Sequence, residues 1–509
     1  MIFRRNLFTN LFPYLLLFII TAIALYITKP VSLQIRWNDE TLYYTVAQNI
    51  VRHFDFNSNH YLASSIIQKG YPTKDTHLPG YPIILAFGFL IGGINEATPF
   101  FVNYLLLILT IFLIFTVSRV IANQYVAFGA SLIYLIYPYT LVLAHSVMTE
   151  ISASAVIMVV FALLFLEKKS FLKGILLSLA IALAYLIKPF LLTLFPASIA
   201  FLWIEKNKNY KKALFSLLFA FVLLFFTVLI PLSQNQEIYP YTATRILSQS
   251  NYADMTRMMG ENLIFNFSLI VNFKQFPVYG KITISMLLLW SIIFAVLVME
   301  IYQYKFQKLP TYITYINLCI FTIISFIPAL LAVFLLYQYI DMGIRGLTVF
   351  SPLIAILSAA GLWQLTYQLK TQKILAIGLV ICLYLSYSSF VTFHKLKNLQ
   401  RRQSQRLYTY SSRLEKVISK LSIQPQIVMS EKNFYLAIAN YPTQVIWQLP
   451  QTLQELQQVN KKVSIDLIEL KNSDPIFQEN LQVYGNINLL DNRYILKYQN
   501  QGFYYYLQK

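Results

Sequence analysis

Apolar runs of near-spanning length recur from the N-terminus of this chain to about Phe393 and then stop. The first, Leu11–Ile27, follows Arg4 and Arg5 and shows no small-residue cleavage site, so it reads as a retained signal anchor. Further runs lie near Phe100–Val117, Val126–Leu143, Ile151–Leu166, Gly174–Ile187, Phe190–Ile204 and Leu214–Ile230. The set closes with Ile282–Glu300, Thr311–Leu336, Leu347–Leu365 and Ile374–Phe393. The apolar stretch Pro82–Ile91 is too short to cross and is flanked by Gly and Pro, so it is predicted to lie in the membrane interface. The pattern predicts an all-α polytopic membrane protein with about eleven transmembrane helices.

Basic loops orient these spans. Lys168-Lys169, then Lys206, Lys208, Lys211 and Lys212, then Lys305, Lys308, Lys370 and Lys373, all fall on one side with Arg4 and Arg5, which is the cytoplasmic side. Two outer loops follow, at about residues 29–98 and 231–281. One cluster disagrees: Lys395, Lys397, Arg401, Arg402 and Arg406 are placed outside by the count of spans. The rule loses force before a long translocated domain, so the tail is kept outside. The chain divides into a membrane module, residues 1–395, and a soluble extracytoplasmic domain, residues 396–509. In that tail Ile427–Met429, Val445–Trp447 and Val463–Ile468 read as strands between helical stretches, and Tyr494–Tyr498 with Phe503–Leu507 as a closing hairpin, which predicts a small α/β domain.

Composition agrees with this class: 57% of residues are hydrophobic and only 12% charged, far below the roughly 25% of soluble proteins. The Lys and Arg behind the net charge of +19 are dispersed in loop clusters, so positive-inside topology explains most of the excess and nucleic acid is not an expected partner. Both cysteines, Cys319 and Cys382, fall in apolar spans, and neither a disulfide nor a Cys metal site is expected. These features predict a multi-pass protein of the plasma (inner) membrane.

The chemistry gathers on the outer face. Asp39 and Glu40 stand about ten residues beyond the first span, followed by Tyr43 and Tyr44. Adjacent carboxylates there are costly to dehydrate and unnecessary for anchoring, although they also suit a helix N-terminus. All five histidines (His53, His60, His77, His145 and His394) fall on the same side, and His145 reads as an interfacial side chain. Glu150, Lys188, Asp341 and Arg345 sit at span ends, where an outward cavity between helices tolerates charge.

These residues carry a resemblance. Asp39-Glu40 with Tyr43-Tyr44 resembles the first-loop acidic motif of the GT-C glycosyltransferases, in the branch of the protein O-mannosyltransferases and aminoarabinose transferases. His77-Leu78-Pro79-Gly80-Tyr81-Pro82 is similar to that family's proline-rich motif before a short surface helix. Met148-Thr149-Glu150 resembles the acidic residue after span three, Lys188-Pro189 the basic-Pro step, and Ile344-Arg345-Gly346 before Phe350-Ser351-Pro352 the late Arg motif. Two departures stand out: Leu78-Pro79-Gly80 where two prolines are usual, and Gly346 where an aromatic follows the late Arg.

The resemblance implies transfer of a sugar from a polyprenyl-monophosphate donor to an acceptor hydroxyl on the outer face, by inverting single displacement. The acceptor is a lipid, a glycan or a protein. Such a reaction needs a base, assigned to Asp39 with Glu40 beside it, and fixed cations for the leaving phosphate, assigned to Arg345 and Lys188. Glu150, Tyr43, Tyr44, His77 and Tyr81 are assigned to substrate positioning. No nucleotide donor is required, and a divalent metal held by Glu40, Glu150 and His77 is the alternative use of those side chains. A lipid-linked sugar flippase or transporter is the rival class, but internal repeats and mid-membrane ionisable groups, its usual marks, are not evident.

Overall fold

The computed structural model describes residues 2–29, 38–63, 66–67, 71, 78–137, 139–165, 170–205, 210–229, 320–331, 348–369, 413–430, 443–484, 486–491, 493–500 and 503–508, with short stretches between 253 and 261 and between 383 and 394. His77, Arg345, both cysteines, most of the second outer loop and the runs read at 282–300 and most of 374–393 lie outside the described residues. Two compact units are present: residues 1–31, 76–81 and 100–397 form one, and residues 32–75, 82–99 and 398–509 the other.

The first unit is helical. Helix α1 (Ile2–Thr28) buries Leu17, Thr21 and Leu25, one stripe at a spacing of four residues, and exposes Leu15, Ile19, Ile23 and Ile27 around it. A helix that is apolar all round but packed along a single stripe presents the rest to lipid. Thr21 costs nothing there because its hydroxyl donates to the Leu17 carbonyl at 2.7 Å. Among the described residues three helical segments, Leu11–Thr28, Thr98–Ile121 and Lys211–Leu229, are long and apolar enough to cross a membrane by length and composition. Shorter apolar helices include Gln124–Leu135, Thr149–Leu164, Phe171–Ile187, Pro189–Ile204, Ile320–Leu331 and Thr348–Trp363.

Close helix contact depends on small residues. A Cβ on Gly174 would collide with Ser216 Oγ and the Ala213 carbonyl oxygen, and would stand 2.6 Å from the Leu217 nitrogen. Glycine therefore lets Ser170–Ile187 lie against Tyr210–Leu224, where Ser178 Oγ is 2.9 Å from the carbonyls of both Gly174 and Leu217.

The second unit holds a seven-stranded sheet in the order β1-β3-β2-β4-β7-β6-β5. The strands are β1 (His60–Leu62), β2 (Ile427–Ser430), β3 (Gln444–Gln448), β4 (Leu467–Lys471), β5 (Leu489–Leu490), β6 (Tyr494–Asn500) and β7 (Phe503–Gln508). β1, β3, β2 and β4 run parallel; β7, β6 and β5 continue antiparallel. Side chains alternate between two cores. Val428, Val445, Leu467 and Tyr505 pack with Leu414 and Val417 on one face, while Met429, Ile446, Ile468 and Tyr506 pack on the other. β4 begins at Leu467 rather than at Val463: Val463 and Ile465 are buried, but the backbone at both is irregular. β1 comes from the segment between the first two apolar runs, so the sheet is not built from the tail alone. Tyr61, Ala63 and Ile66 enter the core beside Met429 and Ile446.

Candidate functional site

Helix α2 (Asn38–His53) begins with both acidic residues in its first turn and ends with Arg52 and His53 in its last, the order the helix dipole favours. Asp39 is half-buried, whereas Glu40, Thr41, Tyr43, Tyr44 and Thr45 are buried. The helix is therefore largely enclosed along its length, and among the described residues its exposed ones are Arg52 and His53 at the C-terminal end. Tyr44 meets Phe89 edge-on with centroids 5.0 Å apart. Burial, and then the charge of Glu96, push the Tyr44 hydroxyl up to about 12 against the opposing pull of Arg52, so it stays protonated at neutral pH. Phe89 belongs to helix α3 (Gly80–Gly92), which buries Leu85, Ala86 and Phe89 and exposes Phe87, Leu90 and Ile91. Such a short helix with one apolar face outward suits the membrane interface read from the sequence.

The other charged pair belongs to the helical unit. Glu150 lies in the first turn of Thr149–Leu164 and is 1% exposed. Lys188 Nζ stands 3.2 Å from its Oε1, with the lysine side chain 16% exposed. Local sequence explains the approach. Pro189 disfavours helical backbone at the residue before it, so Lys188 adopts extended backbone (φ −146°, ψ 118°) at the end of Ser170–Ile187. Its amide still donates to the Ala184 carbonyl at 2.9 Å. The side chain thus leaves the helix and reaches the carboxylate, with its cation 5.8 Å from the centre of the Phe190 ring.

The proline-rich motif is tied to the same place by backbone. A Cβ on Gly80 would stand 2.5 Å from the Leu186 carbonyl carbon and 2.7 Å from the Ile187 nitrogen. Glycine at position 80 is what allows that approach, next to the two residues that precede Lys188. Next to it Tyr81 is wholly buried and donates to Asn103 Oδ1 at 3.1 Å, and Asn103 Nδ2 donates to the Ser146 carbonyl. Tyr81 accordingly fixes the turn that leads into Thr149-Glu150. His145, read from the sequence as an interfacial side chain, has both ring nitrogens engaged within the helical unit. It is buried, with Tyr104 OH 2.7 Å from Nδ1 and Thr28 Oγ1 2.8 Å from Nε2. Asn103 was missed by sequence reasoning; a lone amide within an apolar run was the available signal.

Of the residues assigned from the sequence, the helical unit brings Glu150 and Lys188 into contact and Tyr81 to the turn before Glu150. The other unit holds Asp39, Glu40, Tyr43 and Tyr44 on one helix. Among the described residues no three metal-ligating side chains come together, and His77, the histidine of the metal alternative, lies outside them.

Residues 76–231 match a family model described as dolichyl-phosphate-mannose-protein mannosyltransferase. The fold over nearly the whole chain is similar to that of ArnT from Cupriavidus metallidurans. The structure of that protein bound to undecaprenyl phosphate aligns over 97% of both chains with 11% identity and a TM-score of 0.58. Its apo form aligns over 97% of both chains with 12% identity and a TM-score of 0.59. An Archaeoglobus fulgidus oligosaccharyltransferase, tethered to an acceptor peptide containing the NVT sequon, aligns over 99% of this chain and 75% of its own at 12% identity and a TM-score of 0.54. No curated protein matches by sequence. The resemblance drawn from the motifs is borne out: residues 76–231 match the mannosyltransferase family model, and the fold is similar to those of ArnT and the oligosaccharyltransferase.

Proposed function

We propose that this GT-C glycosyltransferase takes a sugar from a polyprenyl-monophosphate donor and transfers it to an acceptor hydroxyl on the outer face of the plasma membrane. The observation that carries the reading is the buried Glu150–Lys188 pair inside the segment that matches the mannosyltransferase family. A cation held by a buried carboxylate at a span end is a fixed charge, as stabilisation of a leaving phosphate requires. The ArnT structure with undecaprenyl phosphate supports the donor class.

In the reaction, Asp39 takes the proton of the acceptor hydroxyl as its oxygen bonds to C1 of the sugar. The bond from C1 to the lipid phosphate breaks on the opposite side, inverting the configuration. The phosphate leaves with the electron pair, and Lys188 and Arg345 meet its growing charge. Glu150 holds Lys188 in place; Glu40, Tyr43, Tyr44, His77 and Tyr81 position the substrates.

The proposed topology has about eleven spans, with both outer loops and an α/β tail outside. Single cysteines at His53 and Ser473, both exposed, are expected to react with an impermeant thiol reagent in intact spheroplasts lacking Cys319 and Cys382. A cysteine at the exposed Lys211 is expected to react only after permeabilisation. Labelling at 53 but not at 473 would place the tail in the cytoplasm and reject this topology.

A further inference from the structure

Asn59 bonds to the sheet and to helix α2 at once. Its carbonyl accepts from the Val445 amide of β3 at 2.9 Å, at the start of the parallel β1–β3 pairing. Its own amide donates to Thr45 Oγ1 at 3.5 Å, and its Oδ1 accepts from Asn49 Nδ2 at 2.9 Å. Asn49 Nδ2 also donates to the Asn57 carbonyl at 2.7 Å, and Asp55 accepts from both nitrogens of Asn57 at 3.1 Å. Thr45, Asn49 and Asn59 are all buried.

Thr45 and Asn49 are four residues apart and share one face of α2. Two points held on one face of a 16-residue helix fix its axis, and the helix carries Asp39 in its first turn. Thr45 is six residues from Asp39, about 9 Å along the axis at 1.5 Å per residue. The chain beyond Asn59 is secured separately: Tyr61 and Ile66 are buried under the sheet, and Lys462 Nζ donates to the Ile67 carbonyl at 2.5 Å. The tail has thereby recruited a strand from the first outer loop, and Asn59 is the residue at which that strand grips the helix.

We propose that Asn59, with Thr45 and Asn49, is a positioning residue that lets the C-terminal sheet set the place of Asp39. The sheet then contributes to turnover without touching the reacting atoms. The inference rests on Asp39 being the base. A misplacement of about 1 Å at a reacting group can cost on the order of 100-fold in rate.

The test is a double-mutant cycle on the full chain in liposomes, with a polyprenyl-phosphate sugar as donor. Asn59→Ala and Thr45→Val/Asn59→Ala are expected to lower kcat by roughly 10- to 100-fold with the donor KM unchanged, because base placement and not donor binding is disturbed. Thr45→Ser keeps the hydroxyl and is expected to retain wild-type kcat. In an Asp39→Asn background the same changes are expected to add little further loss. Unchanged kcat in the Asn59 variants, or equal losses in both backgrounds, would overturn the positioning role and leave a general structural one. Should the double variant not fold, Asn59→Ala alone, which keeps the β1–β3 backbone bonds, decides between these outcomes. Near-normal turnover of Asp39→Asn by itself rejects the base assignment instead, so the two failures are distinguishable.

Discussion

Replacing Asp39 by Asn is expected to lower turnover by roughly 10²–10⁴-fold, the usual cost of losing a general base, while the protein stays folded. The amide keeps the shape of the carboxylate but cannot accept the proton. Asp39 is half-buried in the first turn of α2. Its neighbour Glu40 is fully enclosed and is assigned to positioning, so Glu40→Gln is expected to lose less in kcat. Initial rates with purified variants and a polyprenyl-phosphate sugar provide the comparison. An Asp39→Asn enzyme turning over near the wild-type rate, or a Glu40 variant losing more than the Asp39 variant, would reassign the base.

Lys188→Ala is expected to lose both stability and activity. It leaves the Glu150 carboxylate, 1% exposed, without the cation now 3.2 Å away. Breaking a buried pair from one side typically costs about 3–5 kcal/mol, because the remaining charge stays dehydrated. Replacing both partners with neutral groups of similar size, Glu150→Gln with Lys188→Met, is expected to recover most of that stability, since the desolvation cost disappears with the charges. Turnover is not expected to return with it, as the fixed cation for the leaving phosphate is still missing. Thermal unfolding in detergent alongside kcat separates the two effects. A double variant that regained turnover with stability would show the pair to be structural only.

The apolar helices were legible in the sequence because apolar length is a local property. The same holds for β6 and β7, two aromatic-rich runs that pair antiparallel from Tyr494 to Gln508. β1 was not legible. It is only three residues long, His60–Leu62, and its pairing partner Val445 lies in the tail, so no local pattern announces it. Alternation also misled at Val463 and Ile465, which are buried as a strand's residues would be but precede β4. At the candidate site, residue type and position at span ends singled out Glu150 and Lys188. That they meet depends on Pro189 turning the backbone, and the proline was visible while the contact was not. His145 looked interfacial because charge and span counting cannot show that both its ring nitrogens are engaged by Tyr104 and Thr28.

Transfer rather than transport is tested most directly by reconstituting the purified protein in liposomes with a sugar-labelled polyprenyl-monophosphate donor and a crude acceptor extract. The expected result is one free polyprenyl phosphate released for each glycoside formed, with both products lost together in Asp39→Asn. Passage of the intact lipid-linked sugar to the other leaflet, with no bond cleaved and no dependence on Asp39, would contradict the glycosyltransferase reading and make the protein a flippase.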